Sequence, residues 1–570
     1  MGQYADDLHS CITDTNSLNE LFTVMDKYEK ASNSKLNKSK TKGLWVGKWT
    51  NRQDKPHDLD WYNDKVDLLG VFVGNRKTPA QYRQLSSINF EDIKEKIKSK
   101  TNYWKGNNLS IKGKIRVSNS FILSKLYFRL EVVDILVEDV KEIETMLFDF
   151  IWNGKKAVRV NRNVLLLGYE SGGLQLYDMI ERMKIMRVKW LRVLLSLNQN
   201  DKRRLVVDKL IGSFRNIKGL KIVHHDIGNT KLPFKSLFYE KAISIWKSMK
   251  IEVKCVKKEK AMKEIVYKNV LFTKPNGTLF KFPNLSNKKL YIPQYFKDLP
   301  VTINSTKIDP NHRQIIKELN QCFWRFPPGE PSNTQGMLYQ LPIDEEKIDI
   351  LDLDFKKIYS TQISKRIVEK KWIDKWQRMV GVNNEDWSQI WRSIHNSIHG
   401  FRIQSCIWEI LHLNFFCSYK ARQMYGDEGR CNLCNQVEQD SFHIILRCPV
   451  LKEAVKYFEP LLKKCRSEEV TEKEICFGLY EKNNSKATNL RNFISFHIKA
   501  ITFRSRNIRF SSIEAAKKAV TDKVTKNLKK EVSNKLNISI KNRKVEDFKN
   551  RYLYKNVLGT IRENSVIFNL

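Results

Sequence analysis

The sequence predicts a mixed, mostly α-helical fold that begins with a small α+β region and continues through several helical domains. Apolar residues recur at helical spacing along much of the chain, and a β-branched run closed by glycine falls within the first 80 residues. A compact cysteine and histidine group near residue 440 is typical of a small metal-stabilised element. The 570 residues allow three or four domains on length alone. The segments that we expect are residues 1–80, 81–200, 201–370, 371–425, 426–462 and 463–570.

The composition predicts a partner that carries many negative charges. The formal net charge is +39, while 41% of the residues are hydrophobic and 11% are aromatic, which argues against general disorder. Lysine and arginine mixed with aromatic residues are typical of proteins that bind RNA and DNA. A membrane surface is the competing partner, but no apolar run approaches the roughly 20 residues that a transmembrane helix needs. We therefore expect nucleic acid as the partner and no membrane.

Cysteine usage and the first residues bear on the cellular compartment. The 10 cysteines are thinly scattered apart from one cluster, which is typical of reduced thiols and not of a disulfide framework. No signal peptide is recognisable, since Met1 leads into acidic residues and not into a basic and apolar segment. We expect the protein in the nucleus or the cytoplasm and not secreted. The sequence leaves the oligomeric state open.

Two adjacent carboxylates follow a tyrosine at the start of the chain, in the run Tyr4-Ala5-Asp6-Asp7. In a strand–turn–strand setting successive side chains alternate faces, so one aspartate can reach a metal while the other faces its support. Carboxylates suit Mg²⁺, a hard cation that also binds substrate phosphates. Two aspartates in an ordinary turn are the simpler interpretation of four residues taken alone.

The next hundred residues give local predictions of secondary structure. Residues Ser17 to Lys30 place Leu18, Leu21, Met25 and Tyr28 on one stripe of an amphipathic helix, and Asn33 follows in a turn. Asp64 to Gly74 is apolar, β-branched and closed by glycine, which predicts a buried strand or a hairpin.

The order of three segments resembles the later palm motifs of LINE-type (non-LTR) retrotransposon reverse transcriptases. The segments are YADD at 4–7, SNSKLNKSKTK at 32–42 and DLLGVFVG at 67–74. The resemblance implies a remnant of an α+β reverse-transcriptase palm in residues 1–80. The family has glycine where Asn33 stands here, and asparagine also tolerates the left-handed backbone of such a turn.

The resemblance also assigns roles to residues in each motif. Asp6 and Asp7 would be catalytic and would bind Mg²⁺ once the palm is completed, and Lys40 would assist the departure of pyrophosphate. The residues that would contact the primer are Tyr4, Leu69 and Gly70.

Residues 81–200 are predicted to be helical and resemble the family's thumb. Between Trp104 and Leu130, Ser110 is placed as an N-cap, and one helical face carries Ile111, Ile115, Ile122 and Leu126. Lys112 and Arg116 lie four residues apart on another face, where they would hold a nucleic-acid duplex by its backbone. The competing interpretation is an ordinary amphipathic helix with a solvated basic face. Trp152 and the pair Gly172-Gly173 are similar to the family's post-thumb segment and are predicted to serve packing and a turn.

The strongest local signal is a C-x2-C-x8-H-x4-C pattern formed by Cys431, Cys434, His443 and Cys448. Two cysteines two residues apart form the knuckle that tetrahedral Zn²⁺ requires, and the histidine and third cysteine close the coordination sphere. The site is predicted to be structural because it leaves no open position for catalysis. Buried free cysteines are the alternative. The pattern is also similar to the CCHC element downstream of reverse transcriptase in these retrotransposons.

The last residues, 463–570, read as a basic helical tail. Lys499 to Phe510 mixes lysine and arginine with aromatic and apolar residues, which suits contact with an RNA or DNA backbone. Asp522 to Lys530 has a similar composition, and a solvated helix face explains it equally well. Residues 201–370 suggest no function.

The chain is therefore expected to be the C-terminal fragment of a retrotransposon RNA-directed DNA polymerase that binds nucleic acid. We recognise neither the upstream aspartate motif nor the fingers of such polymerases in this sequence, so we expect no polymerisation by the chain alone. The alternative is a non-catalytic, nucleic-acid-binding zinc protein derived from a retrotransposon.

Overall fold

The computed structural model describes most of the chain. The described residues are 2–4, 7–75, 78–154, 160–214, 217–226, 236–255, 269–271, 278–279, 337–343, 346–352, 354–366, 368–382, 386–481 and 484–570. Helices dominate them, as the sequence predicted, and the strands form small sheets. The described residues group into two compact units, 1–96 with 133–142 and 97–132 with 143–570. Within the described part of the chain, no helix has both the length and the apolar character needed to cross a bilayer.

The first unit contains short strands and one complete helix. Its elements are β1 (Gly2–Tyr4), β2 (Asp7–His9), α1 (Thr15–Ser32), β3 (Lys42–Leu44), β4 (Asp60–Tyr62), β5 (Lys65–Leu68), β6 (Val71–Gly74) and the start of α2 (Pro79–Lys105). The pairs β1–β2 and β5–β6 are antiparallel, whereas β3 and β4 are parallel. Residues 133–142 join this unit through Lys94 of α2, whose Nζ lies 3.0 Å from carboxylate oxygens of Asp139 and Glu142.

Helix α1 covers the predicted amphipathic stretch and ends where the sequence predicted a turn. Asp14 caps the helix, because its Oδ1 accepts a hydrogen bond from the Ser17 backbone N–H at 2.7 Å. Asn33 ends it in the left-handed conformation with φ 58°, which confirms that asparagine fills the turn here. Of the predicted apolar stripe, Leu18 is buried and Tyr28 is exposed.

The second unit begins with helices that lead to a small sheet. They are α3 (Ile111–Val117), α4 (Ser124–Leu130), α5 (Val137–Trp152, whose start belongs to the first unit), α6 (Arg162–Leu166), α7 (Met179–Ser196), α8 (Lys202–Ile211) and α9 (Leu237–Ser248). The strands are β7 (Ser213–Phe214), β8 (Ile217–Lys218), β9 (Glu252–Cys255), β10 (Met337–Ile343) and β11 (Glu346–Asp349). Strand β10 lies between β9 and β11 in an antiparallel sheet, and Trp246 of α9 and Tyr339 of β10 are buried in the same core.

The C-terminal part of the second unit is a helical assembly followed by a hairpin. Its elements are α10 (Phe355–Ser364), α11 (Lys371–Val380), α12 (Trp387–Ile394), α13 (Phe401–Leu411), α14 (Ser418–Tyr425), α15 (Pro449–Cys465), α16 (Glu472–Phe477), α17 (Lys486–Ser505), α18 (Ile513–Lys541), α19 (Val545–Tyr552), β12 (Gly559–Arg562) and β13 (Ser565–Phe568). Helix α17 lies at the centre, since it contacts α13, α15, α18 and α19 and most of its side chains are buried.

The central position of α17 corrects the prediction of an exposed basic segment between Lys499 and Phe510. Lys499 is buried, and its ammonium donates a hydrogen bond to the Cys476 carbonyl at 2.5 Å. Burial lowers the pKa of Lys499 to about 8. A lysine enclosed in this way cannot contact a nucleic-acid backbone, so the prediction is wrong for Lys499.

Helix α18 shows the solvated face that was the alternative for residues 522–530. Val524 and Leu528 are buried, whereas Lys526 and Lys530 are exposed. The spacing of four residues places the two lysines on one face of the helix. Whether that face binds nucleic acid stays a prediction.

Candidate metal centre

The first two predicted metal ligands lie in a tight turn. The Cys431 N–H donates to the Gln436 carbonyl at 2.8 Å, and the Asn435 N–H donates to the Cys431 carbonyl at 2.7 Å. Asn435 accommodates the turn with φ 60°, a value that asparagine adopts more readily than most residues. This turn carries both Cys431 and Cys434, and their side chains are buried.

The other two predicted ligands belong to one π-helical turn, His443–Arg447, which His443 begins and Cys448 follows. The Cys448 N–H donates to the His443 carbonyl at 2.7 Å, which closes this turn. Cys448 is also the N-cap residue of α15, and Pro449 occupies the first helical position, where its missing N–H costs nothing.

The four side chains meet in one buried cluster. One ligand atom from each of Cys431, Cys434, His443 and Cys448 lies within 4.8 Å of all the others. Cys434 Sγ lies 3.2 Å from His443 Nε2. A tetrahedral site with metal–sulfur bonds of about 2.3 Å separates its donors by about 3.8 Å, so the cluster has the right size. Three thiols and one imidazole therefore fit a structural metal such as zinc.

The thiols influence one another strongly. Hydrogen bonds from Cys431 and Cys448 lower the pKa of Cys434 to about 3. The same contacts with Cys431 and Cys434 raise the pKa of Cys448 far above its usual range. A divalent cation bound among these sulfur atoms would stabilise their thiolate forms.

Glu438 supports the turn, a role that no motif in the sequence indicated. Its side chain is buried, and its Oε2 accepts a hydrogen bond from the Tyr419 N–H at 3.0 Å in the first turn of α14. Its own N–H donates to the Gly429 carbonyl at 2.8 Å. Burial raises the pKa of the Glu438 carboxyl. Glu438 thus joins α14 to the metal-binding turn.

Two residues of the YADD motif lie in the described hairpin, Tyr4 at the end of β1 and Asp7 at the start of β2. Tyr4 and Asp7 are paired across the two strands. Asp7 is exposed, and Asp6 lies outside the described residues. In the described part of the chain, Asp7 does not belong to any cluster of three or more potential metal ligands.

The other predicted palm residues also lie on exposed turns. Lys40 is in the turn before β3, and its N–H donates to the Asn37 carbonyl at 3.1 Å. Leu69 and Gly70 form the two-residue tip of the β5–β6 hairpin, and both have positive φ, 53° and 77°. The predicted hairpin is therefore present, with its tip exposed to solvent.

Lys112 does not lie on the solvated face that the sequence predicted. It is 3% exposed, its Nζ lies 3.1 Å from His395 Nδ1, and it also donates to the Gln404 side-chain oxygen. The Tyr169 ring covers it, with 4.2 Å between Nζ and the ring centroid. Burial, with a smaller effect of Arg116, lowers the pKa of Lys112 to about 7. Its predicted contact with a duplex is therefore wrong, because α3 turns this residue inward, whereas Arg116 is exposed.

Comparison with known proteins finds a similarity to a protein from an animal. No protein-family model matches the chain. Over 177 residues the chain is 28% identical to the Transposon TX1 uncharacterized 149 kDa protein of Xenopus laevis. The chain is similar to a transposon protein. The match covers 30% of this chain and 13% of the Xenopus protein, and it supports an origin in a transposable element.

Proposed function

We propose that this chain is the C-terminal region of a LINE-type reverse transcriptase and that it binds RNA and DNA. The observation that carries the proposal is the buried cluster of Cys431, Cys434, His443 and Cys448 in a chain of net charge +39. A closed site of this kind stabilises a small element, and the surrounding positive charge attracts phosphates. The order of the palm-like motifs and the similarity to a transposon protein support the same proposal.

The cation that we propose for the cluster is Zn²⁺. It accepts thiolate and imidazole ligands together in tetrahedral geometry, and all four donors come from the protein. The role is structural because no coordination position remains for water or substrate.

For the palm-like residues we propose the roles that the resemblance to LINE-type reverse transcriptases implies. In a complete reverse transcriptase, Asp6 and Asp7 would bind Mg²⁺ and Lys40 would assist the departure of pyrophosphate. The residues proposed to contact the primer are Tyr4, Leu69 and Gly70. Arg116, which is exposed on α3, remains a candidate for contact with the nucleic-acid backbone.

Fluorescence anisotropy with a labelled DNA hairpin, a labelled RNA hairpin and a labelled oligothymidine tests nucleic-acid binding. Each phosphate that the protein neutralises contributes a slope of about −0.9 on a duplex and −0.7 on a single strand to the plot of log K against log salt. We expect binding to all three probes with steep slopes. Binding that hardly changes with salt, or no binding, would contradict the proposal.

A non-catalytic, nucleic-acid-binding zinc protein is the second candidate. The burial of Lys112 favours it, because one predicted duplex contact of the thumb is lost. Primer extension with Mg²⁺ and a homopolymer template tests for polymerase activity directly. Extension that disappears in Asp7→Ala would support the polymerase, whereas binding without extension agrees with both candidates, because the chain alone is not expected to polymerise. The genomic sequence upstream of Met1 separates the two: an in-frame palm motif and fingers support the polymerase, and stop codons support the second candidate.

A further inference from the structure

Two exposed aromatic rings and a half-buried ring between them form a continuous cluster where α2 ends and a π-helical turn, Ser118–Ile122, follows α3. Tyr103 is 69% exposed and Phe121 is 55% exposed. The Trp104 ring connects them, since its centroid lies 5.5 Å from that of Tyr103 and 5.8 Å from that of Phe121. We call Tyr103, Trp104 and Phe121 the aromatic platform.

The aromatic platform is not needed to fill the core beneath it. Ile122 and Leu126, which neighbour Phe121 along the chain, are both fully buried and supply the core contacts. Large rings that remain this exposed lose the hydrophobic stabilisation that burial would give, and grouped exposed rings mark a binding surface.

Positive charge surrounds the rings. Residues 97–132 contain eight lysines and arginines, of which Lys112 and Lys114 are buried, but one acidic residue, Glu131, which lies 3.1 Å from Lys189 Nζ. Lys100 Nζ lies 6.0 Å from the Tyr103 ring centroid. Lys105 follows the platform on α2, and Lys125 follows it on α4; both are exposed. A partner that offers flat apolar faces next to negative charges complements this surface.

We propose that the aromatic platform binds single-stranded nucleic acid by stacking unpaired bases on Tyr103, Trp104 and Phe121. Lys100, Lys105 and Lys125 would contact the phosphates beside those bases. A duplex hides the faces of its bases, so rings of this kind distinguish unpaired strands, whereas lysines alone do not. The inference rests on the proposed nucleic-acid binding and goes further, because it assigns the strand state and the residues that recognise it.

The double variant Tyr103→Ala with Phe121→Ala tests the inference in the full-length chain. Both side chains are largely exposed, so the substitutions spare the core, and circular dichroism melting checks that the fold persists. Anisotropy is measured with labelled oligothymidine and with a labelled DNA hairpin. We expect about tenfold or greater loss of affinity for oligothymidine, from the strength of base–aromatic stacking, and little change for the hairpin.

Two further variants serve as controls. Tyr457→Ala removes an exposed ring from α15, away from the platform along the chain, and should leave both affinities unchanged. Tyr103→Phe with Phe121→Tyr keeps both rings and should retain binding to oligothymidine.

The outcomes separate the inference from the proposed function. If the wild-type chain binds none of the probes, the proposed function fails. If it binds oligothymidine and the double variant binds equally well, the inference alone is wrong. If the double variant instead disrupts self-association in sedimentation velocity and leaves oligothymidine binding intact, the platform is a protein interface and the inference is again wrong.

Discussion

Leu69 has an unusual backbone conformation for its residue type. It occupies the first position of the two-residue β5–β6 turn with φ 53° and is 38% exposed. Positive φ at both turn positions is the pattern of a type I′ turn, in which asparagine followed by glycine is preferred. A leucine in this conformation costs about 1–2 kcal/mol, and strain of this kind is often retained for function.

Leu69→Asn should therefore raise the free energy of unfolding by about 1 kcal/mol, because asparagine adopts the left-handed conformation more easily. Urea denaturation measures the change. Leu69→Ala keeps the Cβ atom and its steric conflict, so it should give no comparable gain. Equal stabilisation by alanine would show that the backbone conformation is not the cause.

Lys112 is the second residue whose environment has a measurable consequence. Its folded pKa is about 7, whereas an unfolded lysine titrates near 10.4. Between these values the unfolded state binds more protons than the folded state, so stability should rise with pH. Below about pH 7 both states are protonated, so the dependence of stability on pH ends there.

Lys112→Met should remove this rise. Between pH 7 and 10 the wild-type unfolding free energy should gain up to about 1.4 kcal/mol per pH unit relative to the variant. Urea denaturation at several pH values gives both curves. Lys98→Met, which changes an exposed lysine of α2, should run parallel to the wild type. Parallel curves for Lys112→Met would show that Lys112 does not titrate in this range.

At the scale of elements, the metal-binding turn and α15 depend on each other. Cys431 and Cys434 come from the turn, while Cys448 caps the helix, so a bound cation would join the turn to the start of α15. Structural zinc contributes about 10–16 kcal/mol of apparent binding free energy in isolated finger peptides. Loss of the cation should therefore unfold this part of the chain first.

Cys434→Ser should abolish stoichiometric zinc and lower the melting temperature, and a chelator should have the same effect on the wild type. Plasma mass spectrometry of the purified protein measures the zinc content. Cys11→Ser is the matched control, since Cys11 is an exposed cysteine outside the cluster. Zinc absent from the wild type, or retained in full by Cys434→Ser, would contradict the assignment.

At the scale of the whole molecule, the net charge of +39 acts through the lysines and arginines that reach solvent. Lys112 and Lys499 do not reach it, whereas Lys526 and Lys530 lie on the exposed face of α18. The salt dependence of binding should therefore follow exposed lysines and not the total count.

Lys526→Gln with Lys530→Gln should reduce the magnitude of the salt slope on duplex DNA by about 2, because each lost phosphate contact removes about 0.9. Anisotropy titrations at several salt concentrations measure it. Lys463→Gln is the control, since this lysine already contacts Glu459 at 3.0 Å and Glu469 at 2.8 Å. An unchanged slope in the double variant would exclude this face of α18 from the binding surface.

Local patterns in the sequence were sufficient wherever neighbouring residues fix the structure. The cap at Ser110, the left-handed Asn33 and the Leu69-Gly70 tip all follow from interactions within a few residues. The spacing of Cys431, Cys434, His443 and Cys448 likewise predicted a group that the structure brings together, because a tight turn and a helix start leave little freedom between them.

Only the tertiary structure decided which charged residues face solvent. In the sequence, Lys112 and Lys499 look like lysines on the exposed face of a helix. In the structure other helices cover them, and Gln404 and the Cys476 carbonyl accept their hydrogen bonds. Those partners lie 292 and 23 residues away along the chain, so no local pattern reports them. The sequence by itself determined the helices, the hairpins and the ligand spacing, because short-range hydrogen bonds and sterics fix them. Long-range packing decided which face of each helix remains available to a partner.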